Sequence, residues 1–122
     1  MEKSKKLQTV KENRLFSGAY SRGKCYTSRT AVLYVLPARR RGGTCVGFTV
    51  SKARGNAVER NRTRRRMKEC VRAGWPFIKN GLVLVLVARQ SAVESPFDKL
   101  SSDIVGLLSK AGALDRETKN GV

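Results

Sequence analysis

Apolar and polar positions along the chain follow two different periods, which predict a mixture of strands and helices. Two stretches rich in β-branched and aromatic residues, 30–38 (TAVLYVLPA) and 44–52 (TCVGFTVSK), predict strands, and the residues between them (39–43) form a basic turn. We interpret these two strands as a hairpin. The continuous apolar run at 81–89 (GLVLVLVAR) predicts a further strand that is buried on both faces.

Two segments carry the spacing and the boundary residues of helices. One is predicted over residues 13–21, with an asparagine at its start and Gly23 as its stop signal. The other begins at Ser95, which we assign as the cap, with Pro96 in the first helical position. Its apolar residues recur at helical spacing: Phe97, Leu100, Ile104, Leu107, Leu108 and Ala111.

Length and charge narrow the class of protein. A chain of 122 residues predicts one domain, which we place at 13–112, between a basic arm at 1–12 and a polar tail at 113–122. Lys and Arg number 26 against 9 Asp and Glu, so the net charge is +17 at pH 7. Because self-repulsion of this size destabilises a folded chain, we expect a polyanionic partner, with nucleic acid ahead of an anionic membrane.

The cysteines and the lengths of the apolar runs argue against a membrane-spanning, a secreted and a zinc-binding protein. No apolar run approaches the roughly 18 residues of a membrane-spanning helix, and no signal peptide is recognisable. Cys25, Cys45 and Cys70 are far apart, and the chain has no histidine, so a zinc site lacks ligands. We therefore expect reduced thiols in a cytoplasmic protein that binds no metal firmly.

The most basic segment, NAVERNRTRRRMKECVR (56–72), contains six arginines and a lysine against two acids. Asn56 and Glu59 have the spacing of a capping box, which predicts a helix to about residue 73, hereafter the arginine helix. At about 100° per residue, one face of this helix collects Asn61, Arg65, Lys68 and Arg72, hereafter the basic face. The opposite, packing face collects Thr63, Met67, Cys70, Val71 and Gly74.

A solvated helix face is the usual explanation of a charged run, but such a face alternates the signs of its charges. Glu59 and Glu69 cannot balance seven cations. Arginine outnumbers lysine here, and its forked guanidinium suits phosphate oxygens. The basic face is therefore predicted to contact a partner that carries phosphates.

The segment VGFTVSKARGNAVERNRTRRRMKE (46–69) resembles the signature of the protein subunit of bacterial ribonuclease P. The core of that signature is met by Ala57, Arg60, Asn61 and Arg62. The resemblance extends over residues 7–37 and the LVLVLVAR strand. This chain departs from the family pattern at Thr63, where an aliphatic residue is common, and at Ala53, where a second basic residue often follows Lys52.

The resemblance implies an α+β, ribosomal-protein-like fold of αβββαβα order, in which helices pack on a four-stranded, mostly antiparallel sheet. It also implies a left-handed β-α-β crossover at the arginine helix, against the usual right-handed rule. The implied function is that of the protein subunit of the ribonuclease P holoenzyme, an endoribonuclease that removes the 5′ leader from precursor tRNA. In that family the RNA subunit carries catalysis, and we expect one protein monomer for each RNA.

The resemblance and the residue types together assign two RNA-binding sites. The catalytic RNA is expected to contact Arg54, Asn56, Arg60, Asn61, Arg62, Arg64, Arg65, Arg66, Lys68 and Arg72. The single-stranded leader is expected to lie in a cleft formed by Phe16, Tyr20, Arg29, Tyr34 and Lys52. Aromatic platforms beside a cationic track are typical of single-stranded RNA sites. An alternative is that Phe16 belongs simply to the core.

No catalytic residues are predicted in the protein itself. Protein nucleases use clustered carboxylates or histidine, whereas the nine acids of this chain are scattered and histidine is absent. We expect Mg²⁺ to be bound mainly by the RNA subunit and the substrate. A generic or ribosomal RNA-binding protein is the main alternative, and a DNA-binding protein, a stand-alone hydrolase and a membrane-binding protein are weaker ones.

Overall fold

A four-stranded sheet forms the centre of the protein. The computed structural model describes Thr9 and residues 13–37 and 43–114. The strands are β1 (Lys24–Thr27), β2 (Ala31–Pro37), β3 (Cys45–Thr49) and β4 (Leu82–Ala88). Strand β4 has a neighbouring strand on each side, and its residues 83–86 are fully buried. The prediction of a strand buried on both faces is therefore confirmed.

The strands lie in the order β1-β2-β4-β3. The β1–β2 and β2–β4 pairs are antiparallel, whereas β3 and β4 are parallel, so the sheet is mostly antiparallel as the resemblance implied. Tyr34 of β2 lies opposite Val85 of β4, and Gly47 of β3 flanks Val85 on the other side. These directions place the carboxyl ends of β1, β3 and β4 at the same edge of the sheet.

The predicted hairpin is wrong, although both of its strands exist. Strand β4 lies between β2 and β3, at the centre of the sheet, where helices can cover both of its apolar faces. The hairpin partner of β2 is instead β1, and the turn between them is held by Ser28, whose N–H donates to the Ala31 carbonyl at 2.8 Å. The residue pattern missed β1 because three of its four residues are exposed.

The helices pack on the two faces of the sheet. They are α1 (Asn13–Arg22), α2 (Ala57–Gly74), α3 (Gln90–Glu94) and α4 (Phe97–Lys110). Single 3₁₀ turns at Lys52–Arg54 and Trp75–Phe77 flank α2. Helices α2 and α4 pack against each other and bury the main core, which includes Met67, Leu86 and Ile104. Helix α1 covers part of the opposite face, where Phe16 packs against a smaller apolar cluster.

The predicted cap of the last helix is also wrong. The short helix α3 was not expected, and Ser95 forms its C-terminal cap, where the Ser95 hydroxyl donates to the Ser91 carbonyl at 2.6 Å. Helix α4 consequently begins one residue later than expected, with Pro96 at the N-cap position and no side-chain cap. Its apolar spacing is confirmed, since Leu100, Ile104, Leu107 and Leu108 are buried.

The described part of the chain continues beyond α4 to Leu114. Ala113 is buried, and Leu114 forms an isolated bridge with Ile78. Thr9 forms a parallel bridge with Val46 at the free edge of β3. The rest of the expected arm, the turn residues 39–42 and the tail after Leu114 lie outside the described residues. Apart from α3, the element order is the αβββαβα order that the resemblance implied.

Candidate nucleic-acid interface

Helix α2 is the predicted arginine helix, and its start is fixed by a capping box. The Asn56 side-chain oxygen accepts from the Glu59 N–H at 2.9 Å, and the Glu59 carboxylate accepts from the Asn56 N–H at 3.1 Å. Gly55 precedes the cap at a φ of +133°, and a Cβ atom there would collide with the Glu59 carboxylate. The predicted box is therefore confirmed, and Gly55 is required for it.

The packing face of α2 is the one predicted. Thr63, Met67, Cys70 and Val71 are buried. The Thr63 hydroxyl donates to the Glu59 carbonyl at 2.9 Å, which satisfies a polar group where the family commonly has an aliphatic one. Burial raises the pKa of the Cys70 thiol, so the thiol is held in its neutral form against α4. This packing leaves the basic face outward.

The cations of α2 lie largely on the side away from the core. Asn61, Arg62, Arg65 and Arg72 are exposed, and Arg64 and Lys68 are half-buried. Arg64 donates from Nη1 to the Asn61 side-chain oxygen at 2.8 Å, and the Arg72 Nε lies 3.6 Å from the Glu69 carboxylate. Four of these residues line one shallow depression: Asn61, Arg64, Arg65 and Lys68. The depression places three cations beside an amide without a carboxylate in its lining.

The remaining arginines of the expected site differ in their surroundings. Arg66 donates to the Ser95 carbonyl and so joins α2 to the segment before α4. Arg54 reaches the Gln90 side-chain oxygen at 3.4 Å. Among the described residues, the Nε atoms of Arg54 and Arg60 are buried without a hydrogen-bond partner. A buried donor without a partner is costly to the folded state.

Three aromatic side chains form a cluster between α1 and the sheet, hereafter the aromatic cluster: Phe16, Tyr20 and Tyr34. The Tyr20 and Tyr34 rings meet edge to face, with centroids 5.0 Å apart, and Phe16 lies 6.5 Å from Tyr20. The Tyr20 hydroxyl lies 3.0 Å from Thr49 Oγ1, which fixes α1 against β3. Tyr20 keeps 42% of its surface exposed, so part of the cluster is open.

Phe16 combines the two roles that the sequence left open. It is half-buried and packs with Leu36 against Cys45 and Val83, as a core residue would. It also extends the row of rings through Tyr20 and lines a surface groove. Phe16 therefore joins the exposed Tyr20 ring to the apolar cluster beneath α1.

Tyr34 is the polar centre of the aromatic cluster. Burial raises the pKa of its phenol, and the Cys25 thiol, to which the phenol is hydrogen bonded, and the Tyr20 phenol raise it further. Cys25 lies directly opposite Tyr34 in the β1–β2 pair and is exposed. The Tyr34 hydroxyl thus stays protonated at neutral pH and can donate a hydrogen bond.

The expected leader residues Arg29 and Lys52 lie at the edge of the sheet where β1 and β3 end. Arg29 follows β1, Lys52 follows β3, and both are exposed. The structure adds Arg89, which sequence reasoning missed. Arg89 follows β4 at the same edge, is exposed, and donates to the Ser28 carbonyl at 3.2 Å. A basic residue directly after a buried strand was the signal that could have identified it.

A groove around the edge of β3 connects the two expected sites. It is lined by Thr9, Phe16, Gly47, Phe48, Arg64 and Lys68. Arg64 and Lys68 also line the depression on α2, and Phe16 belongs to the aromatic cluster. The basic face and the aromatic cluster are therefore parts of one surface.

The acidic residues of the described chain are dispersed. Asp103 accepts from the Thr30 hydroxyl at 2.8 Å, and Glu59 is engaged in the capping box. Within residues 13–37 and 43–114 and at Thr9, no three His, Cys, Asp or Glu side chains are grouped so that they could hold a metal ion. In the same residues, no helix has the length and apolarity required to cross a membrane.

Comparisons with known proteins agree with this geometry. The Ribonuclease P family profile matches residues 4–112. The ribonuclease P protein component of Symbiobacterium thermophilum is 38% identical over 113 residues, covering 93% of this chain and 98% of that protein. The component from Finegoldia magna is 35% identical over 111 residues, covering 91% and 94%.

Solved structures show the same fold. The Staphylococcus aureus RNase P protein superposes with a TM-score of 0.78 at 25% identity, covering 90% of this chain and all of that one. The RNase P protein from Thermotoga maritima superposes with a TM-score of 0.75 at 20% identity, covering 84% and 96%. The strand pairing that the residue pattern missed is therefore a property of a known fold.

Proposed function

This chain belongs to the ribonuclease P protein family and is thus the protein component of an endoribonuclease, and we propose that it acts there by binding two RNAs. The basic face of α2 binds the folded catalytic RNA. The aromatic cluster binds the single-stranded 5′ leader of precursor tRNA. The RNA subunit carries out the cleavage, and the protein supplies affinity and positioning.

The observation that carries this proposal is the groove that joins the two sites. Rings suited to stacking on bases and cations suited to phosphates lie on one surface, with Phe16 at one end and Arg64 and Lys68 at the other. A single protein can therefore hold a folded RNA and a single strand next to each other.

In this proposal the RNA subunit and the substrate bind the Mg²⁺ ions. The groups that react in the cleavage also belong to these RNAs. The protein and Mg²⁺ neutralise the same phosphates, so the net charge of +17 lowers the Mg²⁺ concentration that the RNA requires. One protein monomer binds one catalytic RNA. We place the complex in the cytoplasm, where the thiols of Cys25, Cys45 and Cys70 stay reduced.

The decisive experiment is 5′ cleavage of a precursor tRNA at low Mg²⁺ concentration. A bacterial ribonuclease P RNA is assayed with and without this protein, and the protein alone is the control. We expect cleavage only when both components are present. Binding of the RNA without any change in cleavage would favour a generic RNA-binding protein, and cleavage by the protein alone would favour a hydrolase.

Tyr34→Ala tests the leader site. Removing the ring should lower the preference of the holoenzyme for leader-bearing over mature tRNA by roughly tenfold, since stacking contributes about 1–3 kcal/mol per base. The measurement is the ratio of the two dissociation constants. Tyr34→Phe keeps the ring and should retain most of the preference, which separates stacking from the hydroxyl. An unchanged ratio in Tyr34→Ala would remove this residue from the leader site.

A further inference from the structure

Val58 is an apolar residue in a place where the fold does not need one. It lies in the first turn of α2 and keeps 75% of its surface exposed, more than any other large hydrophobic residue in the described part of the chain. The packing face of α2 is supplied by other residues, from Thr63 to Val71. A β-branched residue also slightly disfavours the helix. Neither packing nor helix propensity therefore explains Val58.

The position of Val58 on the helix is specific. At about 100° per residue, Arg65 lies roughly 20° from it, Arg62 roughly 40° on one side and Asn61 roughly 60° on the other. All three neighbours are exposed. Val58 thus forms an apolar point on the outward side of α2, at the amino-terminal end of the basic face.

The surroundings of Val58 leave room for close approach. Ala53, which precedes the capping box, and Ala57, which lies within it, are also exposed and have short side chains. Within α2, the long cationic side chains begin only at Arg60. An RNA whose phosphates contact Arg62 and Arg65 would therefore bring its sugars and bases towards the methyl groups of Val58.

We propose that Val58 packs against the apolar face of a ribose or an unstacked base in the folded catalytic RNA. This inference rests on the proposed function of the basic face and adds a contact that is not electrostatic. Cations that contact only phosphates do not distinguish one base from another, because phosphate contacts carry no sequence information directly. An apolar contact between the cations favours RNA that presents a sugar or base at that point, so Val58 contributes to the selection of the RNA partner.

The test compares two exposed valines by the same substitution. Val58→Ala and Val105→Ala both remove two methyl groups from an exposed helix position, and Val105 lies on α4 with 42% of its surface exposed. Neither change should impair folding, since alanine is the better helix former, and thermal unfolding verifies this. Binding of each variant to a bacterial ribonuclease P RNA is then measured over a range of salt concentrations, with Arg65→Ala as a third variant.

We expect Val58→Ala to weaken RNA binding by roughly three- to tenfold at every salt concentration, in proportion to the methyl groups removed from contact. The slope of log K against log salt should not change, because no phosphate contact is lost. Arg65→Ala should instead reduce that slope by about one. Val105→Ala should bind as the wild type does.

Three outcomes would overturn the proposal or its premise. Equal RNA affinity of Val58→Ala and the wild type, with Arg65→Ala weakened, would refute the apolar contact alone and direct attention to a protein partner for Val58. Weaker binding of Val58→Ala with a changed salt slope would also refute the apolar contact, because the loss would then be electrostatic. Absence of RNA binding by the wild type would refute the proposed function itself.

Discussion

Simultaneous replacement of Arg64, Arg65 and Lys68 by alanine is expected to weaken binding to the catalytic RNA by about 100-fold or more, because three charge-assisted contacts are lost. These three cations line the depression on α2, and Arg64 and Lys68 also line the groove towards Phe16. The slope of log K against log salt should fall by roughly two to three, since each cation displaces about one counterion from the RNA. Salt-dependent binding measurements provide both quantities.

A matched control removes the same charge elsewhere. Lys79, Lys99 and Lys110 are exposed and lie outside α2, so their joint replacement by alanine also lowers the net charge by three. If RNA contacts are confined to the surface described above, this control should retain most of the affinity and most of the salt slope. Equal losses in the two triple variants would mean that the total charge, not the basic face, determines binding.

Helix α2 was predictable from sequence because its determinants are local. Asn56 and Glu59 are three residues apart, and they fix the start of the helix through hydrogen bonds that no distant residue influences. The packing face follows from helical periodicity, and Thr63 and Met67 are buried as that periodicity requires. The outward direction of the cations therefore follows from the local sequence alone.

The strand order was not predictable from the residue pattern, because pairing is decided by contacts between distant residues. Nothing in the two stretches at 30–38 and 44–52 indicates that β4 lies between them. The failed cap at Ser95 has a related cause. Its hydroxyl donates instead to the Ser91 carbonyl of α3, a helix that the residue pattern did not predict.

The candidate interface was predictable in part for the same reasons. Its cations lie on one helix, so the helical period of the sequence was enough to predict that they share a face. The aromatic cluster draws on α1 and β2. The four-residue spacing of Phe16 and Tyr20 places both on one face of α1, whereas nothing in the local sequence places Tyr34 beside them. Arg89 depends on the strand order, since it joins Arg29 only when the ends of β1 and β4 lie at one edge.

Gly23→Ala is expected to destabilise the protein by roughly 1–3 kcal/mol, the usual cost of placing an extra carbon where there is no room. Gly23 joins α1 to β1, and its N–H donates to the Ala19 carbonyl at 2.9 Å. A Cβ atom at this position would lie 2.5 Å from the Ala19 carbonyl oxygen and 3.0 Å from that of Val35. Both obstacles are backbone atoms, so α1 must move away from the sheet.

Gly106→Ala is the control with the opposite expected sign. Gly106 lies in the interior of α4, and nothing lies within 4 Å of the Cβ atom that alanine would add there. Alanine should therefore raise the free energy of unfolding by roughly 0.5–1 kcal/mol. Chemical unfolding of both variants measures the difference in the free energy of unfolding, and equal effects would contradict the close approach at Gly23.

Because α1 carries Phe16 and Tyr20, Gly23→Ala should also reduce the preference for leader-bearing tRNA, whereas α2 should still bind the catalytic RNA.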